Sequence, residues 1–285
     1  MSYETIEVAP LSPNIGAEIS GLDLSQPLGN QAFAEVHDAL MTHQVIFFRD
    51  QIMDWEQHKA FGRRFGELHV HPTAPTPEGH PEILTIRGDA NSKHVAGQHW
   101  HSDVSCDVEP PMGSILHLHE VPVPGGDTMF ASMYAAYDAL SEPFKKALSE
   151  LTALHESEHV YRGRYSDRGV DDNDKTYPQA VHPIIRTHPE TGQKAIYVNR
   201  TFTTRINELS ETESKAILNH LFSHCEHIDF QIRYRWAVND VTFWDNRCAM
   251  HRAIWDYWPA ERRGRRVTIK GDRPICCLLY TSDAA

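Results

Sequence analysis

The sequence predicts a mostly β fold with flanking helices, built on a double-stranded β-helix (jelly roll) core. Three observations point there. Short alternating or continuous apolar runs recur along the chain, as strands require. Helical periods are few and do not alternate with strands in the rhythm of a parallel βαβ sheet. The 17 prolines suit a loop-rich chain, and two antiparallel sheets with helices packed outside fit that pattern. No repeat, low-complexity tract or linker divides the chain, so residues 1–274 are expected to form one domain. Residues 275–285 read as an atypical tail without functional weight.

Residues 5–8 read as a strand, and glycines 16 and 21 mark turns in an extended segment. Apolar residues at 33, 34, 36, 39 and 40 predict a helix over 31–42. Val45-Ile46-Phe47-Phe48 reads as a buried strand. Asp54 caps a helix from Trp55 to about Phe65, where Gly66 stops it. Residues 69–82 form a loop that could act as a lid, and residues 89–97 form another. Strands are predicted at 83–86, 114–119 and 128–130. Ser132 caps a helix to Leu140, and a further helix spans Glu142–Leu151. Residues 161–180 read as a long polar loop. Pro189-Glu190-Thr191-Gly192 joins the strands of a hairpin. Ser210 and Glu213 form a capping box for a helix to about His224. The last strands are read at 229–236, 241–244 and 265–270.

Forty per cent hydrophobic residues support a sizeable core. A net charge of −12 without a long basic run makes nucleic acid and anionic membranes poor partners. A small anionic substrate would have to be met by local arginines against that global field. No apolar run reaches membrane length, and the N-terminus does not read as a signal peptide. The five cysteines lack zinc-like C-x-x-C pairing, which suits a reducing cytoplasm.

The chemistry centres on His101-Ser102-Asp103. On a strand, positions i and i+2 share a face, so an imidazole and a carboxylate would aim at one point. His251 is the candidate third ligand. Two histidines and one carboxylate with open positions opposite are how non-haem Fe(II) oxygenases hold iron. The motif alone is weak among 19 histidines. His227-Ile228-Asp229 repeats the spacing where a helix gives way to a strand, and reads as a solvated helix terminus. His99 is a rival ligand. His117 and His119 form another same-face pair, better explained by packing. Arg262 and Arg266 would share one face of an extended segment, with Arg263 and Arg265 on the other. A wholly solvated basic face is the plainer alternative for that cluster.

His101-x-Asp103, Gly125-Gly126-Asp127-Thr128, Trp244-Asp245-Asn246-Arg247 before His251, and the two arginines Arg262 and Arg266 resemble the taurine/TfdA group of Fe(II)/2-oxoglutarate dioxygenases. Ile15-Gly16-Ala17-Glu18-Ile19-Ser20-Gly21, His43-Gln44-Val45, Arg64-Phe65-Gly66-Glu67-Leu68-His69, and Asn199 with Phe202-Thr203-Thr204-Arg205-Ile206 are also similar to that group. The likeness runs from about Ile6 to Pro274. It implies that Fe(II) is held by His101, Asp103 and His251, with 2-oxoglutarate and O₂ as co-substrates. It assigns Arg262 and Thr128 to the far carboxylate of 2-oxoglutarate. It places His71, Tyr161, Phe202 and Arg266 around the substrate, with Arg266 on its anionic group. The implied reaction hydroxylates the carbon next to a heteroatom group. The product collapses to an aldehyde with sulfite, while 2-oxoglutarate becomes succinate and CO₂.

Taurine or a related organosulfonate is the first substrate class implied; an aryloxyalkanoate or an alkyl sulfate ester is the alternative. The taurine-binding pattern has a tyrosine where this chain has Ala74 and an asparagine where it has Gly97. Both changes are expected to enlarge the pocket. Relatives imply a homo-oligomer, a dimer or a tetramer. A non-catalytic metal-binding jelly roll is the alternative of another class, and it has no use for Thr128 and Arg262 together.

Overall fold

A computed structural model describes residues 3–71, 74–164, 166, 169, 171 and 174–276. The chain runs β1 (Glu7–Pro10), β2 (Ala17–Ser20), α1 (Asn30–His43), β3 (Val45–Phe48), α2 (Trp55–Arg63), β4 (Leu84–Gly88), β5 (Gly113–Glu120) and β6 (Thr128–Ser132). It continues through α3 (Met133–Asp138), α4 (Glu142–Leu148), β7 (Thr152–Glu156), α5 (Glu158–Tyr161), β8 (Gln179–Pro183), β9 (Ile185–Thr187) and β10 (Lys194–Ile196). Then come β11 (Thr203–Ile206), α6 (Glu211–Cys225), β12 (Gln231–Tyr234), β13 (Val241–Asp245), β14 (Ala249–Ala253) and β15 (Arg262–Ile269).

Local chemistry explains the helix ends. Asp54 accepts from the Gln57 N–H while the Gln57 side chain returns to the Asp54 N–H, a closed capping box for α2. Ser210 and Glu213 do the same for α6. α1 buries Ala32, Val36, Ala39 and Leu40, the one-sided spacing of an amphipathic helix, and ends at Gln44 with φ 65°.

A seven-stranded sheet has the order β1-β2-β3-β13-β5-β15-β4, and a three-stranded sheet the order β12-β6-β14. Their facing sides pack through Phe47, Leu116, Leu118, Phe130, Tyr234 and Trp244. The Phe47 ring stacks on Tyr234 at 3.9 Å and meets Phe130 edge-on at 5.6 Å. α1 and α2 cover the outer face of the large sheet, where Val36, Leu40 and Phe61 meet Ile46, Ile115 and Phe243. α3 and α6 cover the outer side of the small sheet with the β9–β10 hairpin. The architecture is therefore two packed, mostly antiparallel sheets with helices outside. Among the described residues, no helix is long and apolar enough to cross a membrane.

Several predicted elements shift. β7, β8, β11 and β14 are strands that the sequence reading passes over. Ala249-Met250-His251-Arg252-Ala253 shows no polar alternation in its first half, because Ala249 packs toward the large sheet and Met250 toward the helical layer. The loop predicted at 161–180 begins inside α5 and ends inside β8; positions 165, 167–168, 170 and 172–173 lie outside the described residues. Positions 72–73 of the first loop do too. Of the tail, Ile275 bridges to Thr187 and the Thr187 hydroxyl donates to the Cys276 carbonyl at 2.6 Å. Residues 277–285 lie outside the described residues.

Two histidines deep in the core make stability pH-dependent. His58 on α2 and His155 on β7 have no exposed surface. Burial, reinforced by His117 and Arg265 in the first case and His182 in the second, lowers each to about 3. The unfolded chain binds these protons below about pH 6.5, whereas the folded chain refuses them until about pH 3. Stability should therefore fall as pH drops through that window, by up to about 1.4 kcal/mol per unit for each histidine. The urea midpoint is expected to decline between pH 7.5 and 5, and His58→Gln should flatten the slope. An unchanged midpoint in the parent protein would contradict the buried neutral histidines.

Candidate active site

His101 and His251 face each other across a single antiparallel bridge. The His101 N–H donates to the His251 carbonyl at 3.1 Å and the His251 N–H returns to the His101 carbonyl at 2.9 Å. The two rings lie 4.1 Å apart. The strand expected at His101-Ser102-Asp103 does not form. Only His101 is bridged, and the chain then turns, with Val104 at φ 47°. A β-branched residue in that region costs on the order of 1–3 kcal/mol, strain of the kind that gathers at functional sites. Convergence of His101 and Asp103 thus comes from a cross-strand bridge followed by a turn, not from strand periodicity. Asp103 Oδ1 lies 3.6 Å from His101 Nε2 and 3.9 Å from His251 Nε2. The three potential ligand atoms all lie within 4.8 Å of one another.

The protonation states suit a divalent metal. His101 Nδ1–H donates to the His99 carbonyl at 2.8 Å, which leaves Nε2 toward the cluster. Burial, then the charge of His101, holds His251 well below the ordinary histidine range, so its imidazole is neutral. Burial pushes the Asp103 carboxyl upward, but Arg266, His251 and His101 outweigh it and leave the group well below the usual carboxylate range. A neutral imidazole at His251, an ionised carboxylate at Asp103 and the ring Nε2 of His101 make up the kind of donor set that Fe(II) accepts.

The rivals fall away. The His99 side chain is exposed and contributes only its carbonyl. His117 and His119 alternate with Leu116 and Leu118, which face the small sheet, so their rings point to the other side of β5. A second buried cluster, His188, Asp245 and Cys248, is already committed. His188 Nδ1 accepts backbone N–H groups, so its Nε2–H donates to Asp245 at 3.0 Å. Arg247 occupies both Asp245 oxygens. His227 and Asp229 sit 3.5 Å apart with side chains 57% and 75% exposed, outside any core. His227→Ala should leave bound metal per chain unchanged; a measured loss of metal would relocate the site.

A cavity of about 510 Å³ opens on the cluster. Every residue predicted for the site lines it: His71, His101, Asp103, Thr128, Tyr161, Phe202, His251, Arg262 and Arg266. β15 alternates as expected, with Arg262 and Arg266 buried and Arg263 and Arg265 on the other face. Arg262 Nε donates to the Gly126 carbonyl at 2.9 Å and its Nη2 to Thr128 Oγ1 at 3.3 Å. Gly126 has φ 75°, and a Cβ there would lie 2.8 Å from Pro122 and 3.1 Å from the Arg262 side chain. The glycine lets the carbonyl reach the arginine. Burial lowers Arg262 to about 10, so it remains charged at neutral pH. It makes no ion pair among the described residues; Asp127 is held instead by Arg233 at 2.6 Å.

Arg266, expected at the substrate's anionic group, also contacts the Asp103 carboxylate. Its Nη1 donates to Asp103 Oδ1 at 2.5 Å, so a contact to a substrate anion would use its other N–H groups. The residues expected around the substrate lie together: the His71 and Tyr161 rings are 5.4 Å apart, and Tyr161 and Phe202 5.9 Å. The Ala74 N–H donates to His71 Nδ1 at 3.0 Å, which puts the proton of the neutral ring on Nε2. Burial, then Arg266, lowers His71 to about 3. Gly97 lines the cavity, but more than space is at stake there. At φ 77° its Cβ would lie 3.0 Å from His101 Cε1, so a side chain would press on the ligand ring. Ala74 is buried beside the cavity and contributes its N–H.

Sequence reasoning missed several members of the site. Trp236 Nε1–H donates to Thr128 Oγ1 at 2.9 Å. Arg164 lines the cavity and ties its loop to the Val95 carbonyl at 3.0 Å. Arg200 lines it too, with Nε on Glu226 at 2.6 Å. Arg164 falls in the loop already flagged; nothing local marks Trp236 or Arg200.

Comparison with known proteins agrees with this geometry. The family model for "Taurine catabolism dioxygenase TauD, TfdA family" matches residues 7–268. An "Alpha-ketoglutarate-dependent sulfate ester dioxygenase" from Pseudomonas putida is 34% identical over 278 residues, covering 95% of this chain and 91% of that protein. The crystal structure of a taurine dioxygenase from Burkholderia xenovorans superposes with a TM-score of 0.83 at 33% identity, covering 95% of this chain and 93% of the other. The structure of AAD-2 in complex with Mn(II) and N-oxalylglycine superposes with a TM-score of 0.79 at 29% identity, covering 95% and 99%. With a match over nearly its whole length and a two-histidine, one-carboxylate cluster in its cavity, the chain belongs to the TauD/TfdA family and is an Fe(II)- and 2-oxoglutarate-dependent dioxygenase.

Proposed function

We propose that this enzyme hydroxylates a small organosulfonate or sulfate ester at the carbon next to its heteroatom group, within a jelly-roll core. The observation that carries this reading is a buried, charged Arg262 without an ion-pair partner among the described residues, in the same cavity as the His101–Asp103–His251 cluster. His101, Asp103 and His251 would hold Fe(II). When bound, the metal supplies O₂ activation, coupled to conversion of 2-oxoglutarate to succinate and CO₂.

Arg262 suits the far carboxylate of 2-oxoglutarate, because a planar guanidinium meets a carboxylate with two parallel donors. Thr128 can add a third donor. Its Oγ1 accepts from both Trp236 and Arg262, so its own proton is left to donate. A non-catalytic metal-binding role would leave these three side chains without a purpose.

The lining also supports the substrate class. Among the described lining residues Asp103 is the sole carboxylate, while Arg164, Arg200, Arg262 and Arg266 supply positive charge. The cavity is thus locally cationic in a chain of net charge −12. Leu84, Ile86, Val104, Val160 and Phe202 give it apolar walls. An anionic head suits Arg266 and His71 Nε2–H, and a hydrocarbon body suits these walls. Among the described lining residues, an ammonium group, as in taurine, would find no carboxylate beyond the metal ligand, which favours other sulfonates and sulfate esters. No general base is required of the acidic surface residues. The free Cys106, Cys225, Cys248 and Cys276 support a reducing compartment such as the cytoplasm. Similarity to the family supports a homo-oligomer.

A panel of alkanesulfonates, alkyl sulfates, taurine and aryloxy acids tests this reading. Sulfite or sulfate is expected in step with succinate, with straight-chain anions preferred over taurine by kcat/KM. Phenol release from an aryloxy acid at a higher kcat/KM would move the substrate class.

A further inference from the structure

We propose that Ser114, acting with Asn246, is a positioning residue that sets which oxygen of Asp103 faces the metal. The proposal rests on His101, Asp103 and His251 being the metal ligands. Ser114 lies on β5, the strand flanked by β13 and β15 in the middle of the large sheet. It has no exposed surface, and its neighbours Ile115 and Leu116 are packed into the two apolar clusters on either side. A hydroxyl at such a place must be matched by a polar partner.

That partner is the ligand carboxylate. Ser114 Oγ–H donates to Asp103 Oδ2 at 2.7 Å. Asn246 Nδ2–H donates to Ser114 Oγ at 3.3 Å. Asn246 Oδ1 accepts the Asp103 backbone N–H at 3.2 Å and Trp244 Nε1–H at 3.0 Å. Asp103, Asn246 and Ser114 therefore close a ring of hydrogen bonds, and all three are buried. The register explains the meeting. Ser114 stands opposite Trp244 on β13, and Asn246 follows directly where the chain leaves β13 for β14.

The ring fixes both the backbone and one oxygen of Asp103. Oδ2 is capped by the serine hydroxyl. Oδ1 is left toward His101, His251 and Arg266. A carboxylate held this way presents one prong to a metal and cannot readily rotate to present both. A metal held there would then keep room for small ligands. Without the serine proton, Oδ2 would be a buried acceptor short of a donor, and the carboxylate would be free to turn.

The test is metal affinity and coordination, not turnover. Ser114→Ala should weaken Mn(II) or Co(II) binding by about 10- to 100-fold, the range typical of lost outer partners of metal ligands. The visible spectrum of the Co(II) protein should change with it. Thr268→Val is the control. It removes a second buried hydroxyl 3.4 Å from Ser114 Oγ that does not touch Asp103, and affinity should stay within about twofold. Ser114→Cys, of similar shape and weaker as a donor, gives the same test if the alanine variant does not fold. Melting temperatures without metal separate lost folding from lost binding. A folded Ser114→Ala or Ser114→Cys with parental affinity and spectrum would overturn the proposal, as would an equal loss in Thr268→Val. Failure of the ligand assignment itself would look different: Asp103→Ala would then bind metal like the parent.

Discussion

Asp103→Ala is expected to lose metal by more than about 100-fold in affinity and to show no substrate-dependent turnover, since a ligand contributes more than the 10- to 100-fold typical of an outer partner. The change removes the carboxylate of the cluster and leaves two imidazoles. It also strips Arg266 of its ion pair, 2.5 Å away and buried, so two effects act in the same direction. Asp103→Asn keeps the shape but loses the charge, and with it the ion pair to Arg266, so it should lose metal nearly as fully. His99→Ala is the matching control. His101 is oriented by the His99 carbonyl, not its ring, so affinity should hold. Retained metal in Asp103→Ala, or strong loss in His99→Ala, would displace the assignment.

Arg262→Ala is expected to raise the 2-oxoglutarate concentration needed for activity by on the order of 30- to 5,000-fold. Removing one partner of a buried, hydrogen-bonded charge pair typically costs about 2–5 kcal/mol. The effect on stability has the opposite sign. Arg262 is buried, burial lowers it toward about 10, and no carboxylate among the described residues neutralises it. Deleting an uncompensated buried charge should leave the ligand-free protein as stable as before, or more so. Arg262→Met, which retains most of the volume, gives the cleanest comparison. The ligand-free melting temperature should hold or rise, while the increase caused by 2-oxoglutarate disappears. A variant that loses stability but keeps its 2-oxoglutarate response would make Arg262 a structural residue.

The residues of this site were legible from sequence, but the reason they meet was not. His101, Asp103 and His251 stand out as residue types suited to one donor set, and their likeness to a known family orders them. The strand argument for His101 and Asp103 reaches the right pair by the wrong route, because bridges and turns are set by the partner chain segment. That segment, β14, is itself hidden: Ala249-Met250-His251 has no alternation to read, since the large sheet covers one face and the helical layer the other. The alternation of Arg262 and Arg266 against Arg263 and Arg265 was legible, since period two is local. Arg266 on Asp103, Trp236 on Thr128 and Ser114 on Asp103 join residues more than ten apart in sequence. No local pattern encodes such pairs, although a serine inside an otherwise apolar strand start is a signal that a buried partner exists. Helix ends were read best, because the Asp54 and Ser210 caps act within one turn.

The most direct test of the central claim is succinate formation from 2-oxoglutarate by the purified protein, with Fe(II) and O₂ present or withheld. Succinate that requires both, rises on adding a sulfonate or sulfate ester, and matches the sulfite or sulfate released is the predicted result. Tight metal binding with no Fe(II)-dependent succinate under any condition would contradict it, and would make the cluster a metal site without oxygenase chemistry.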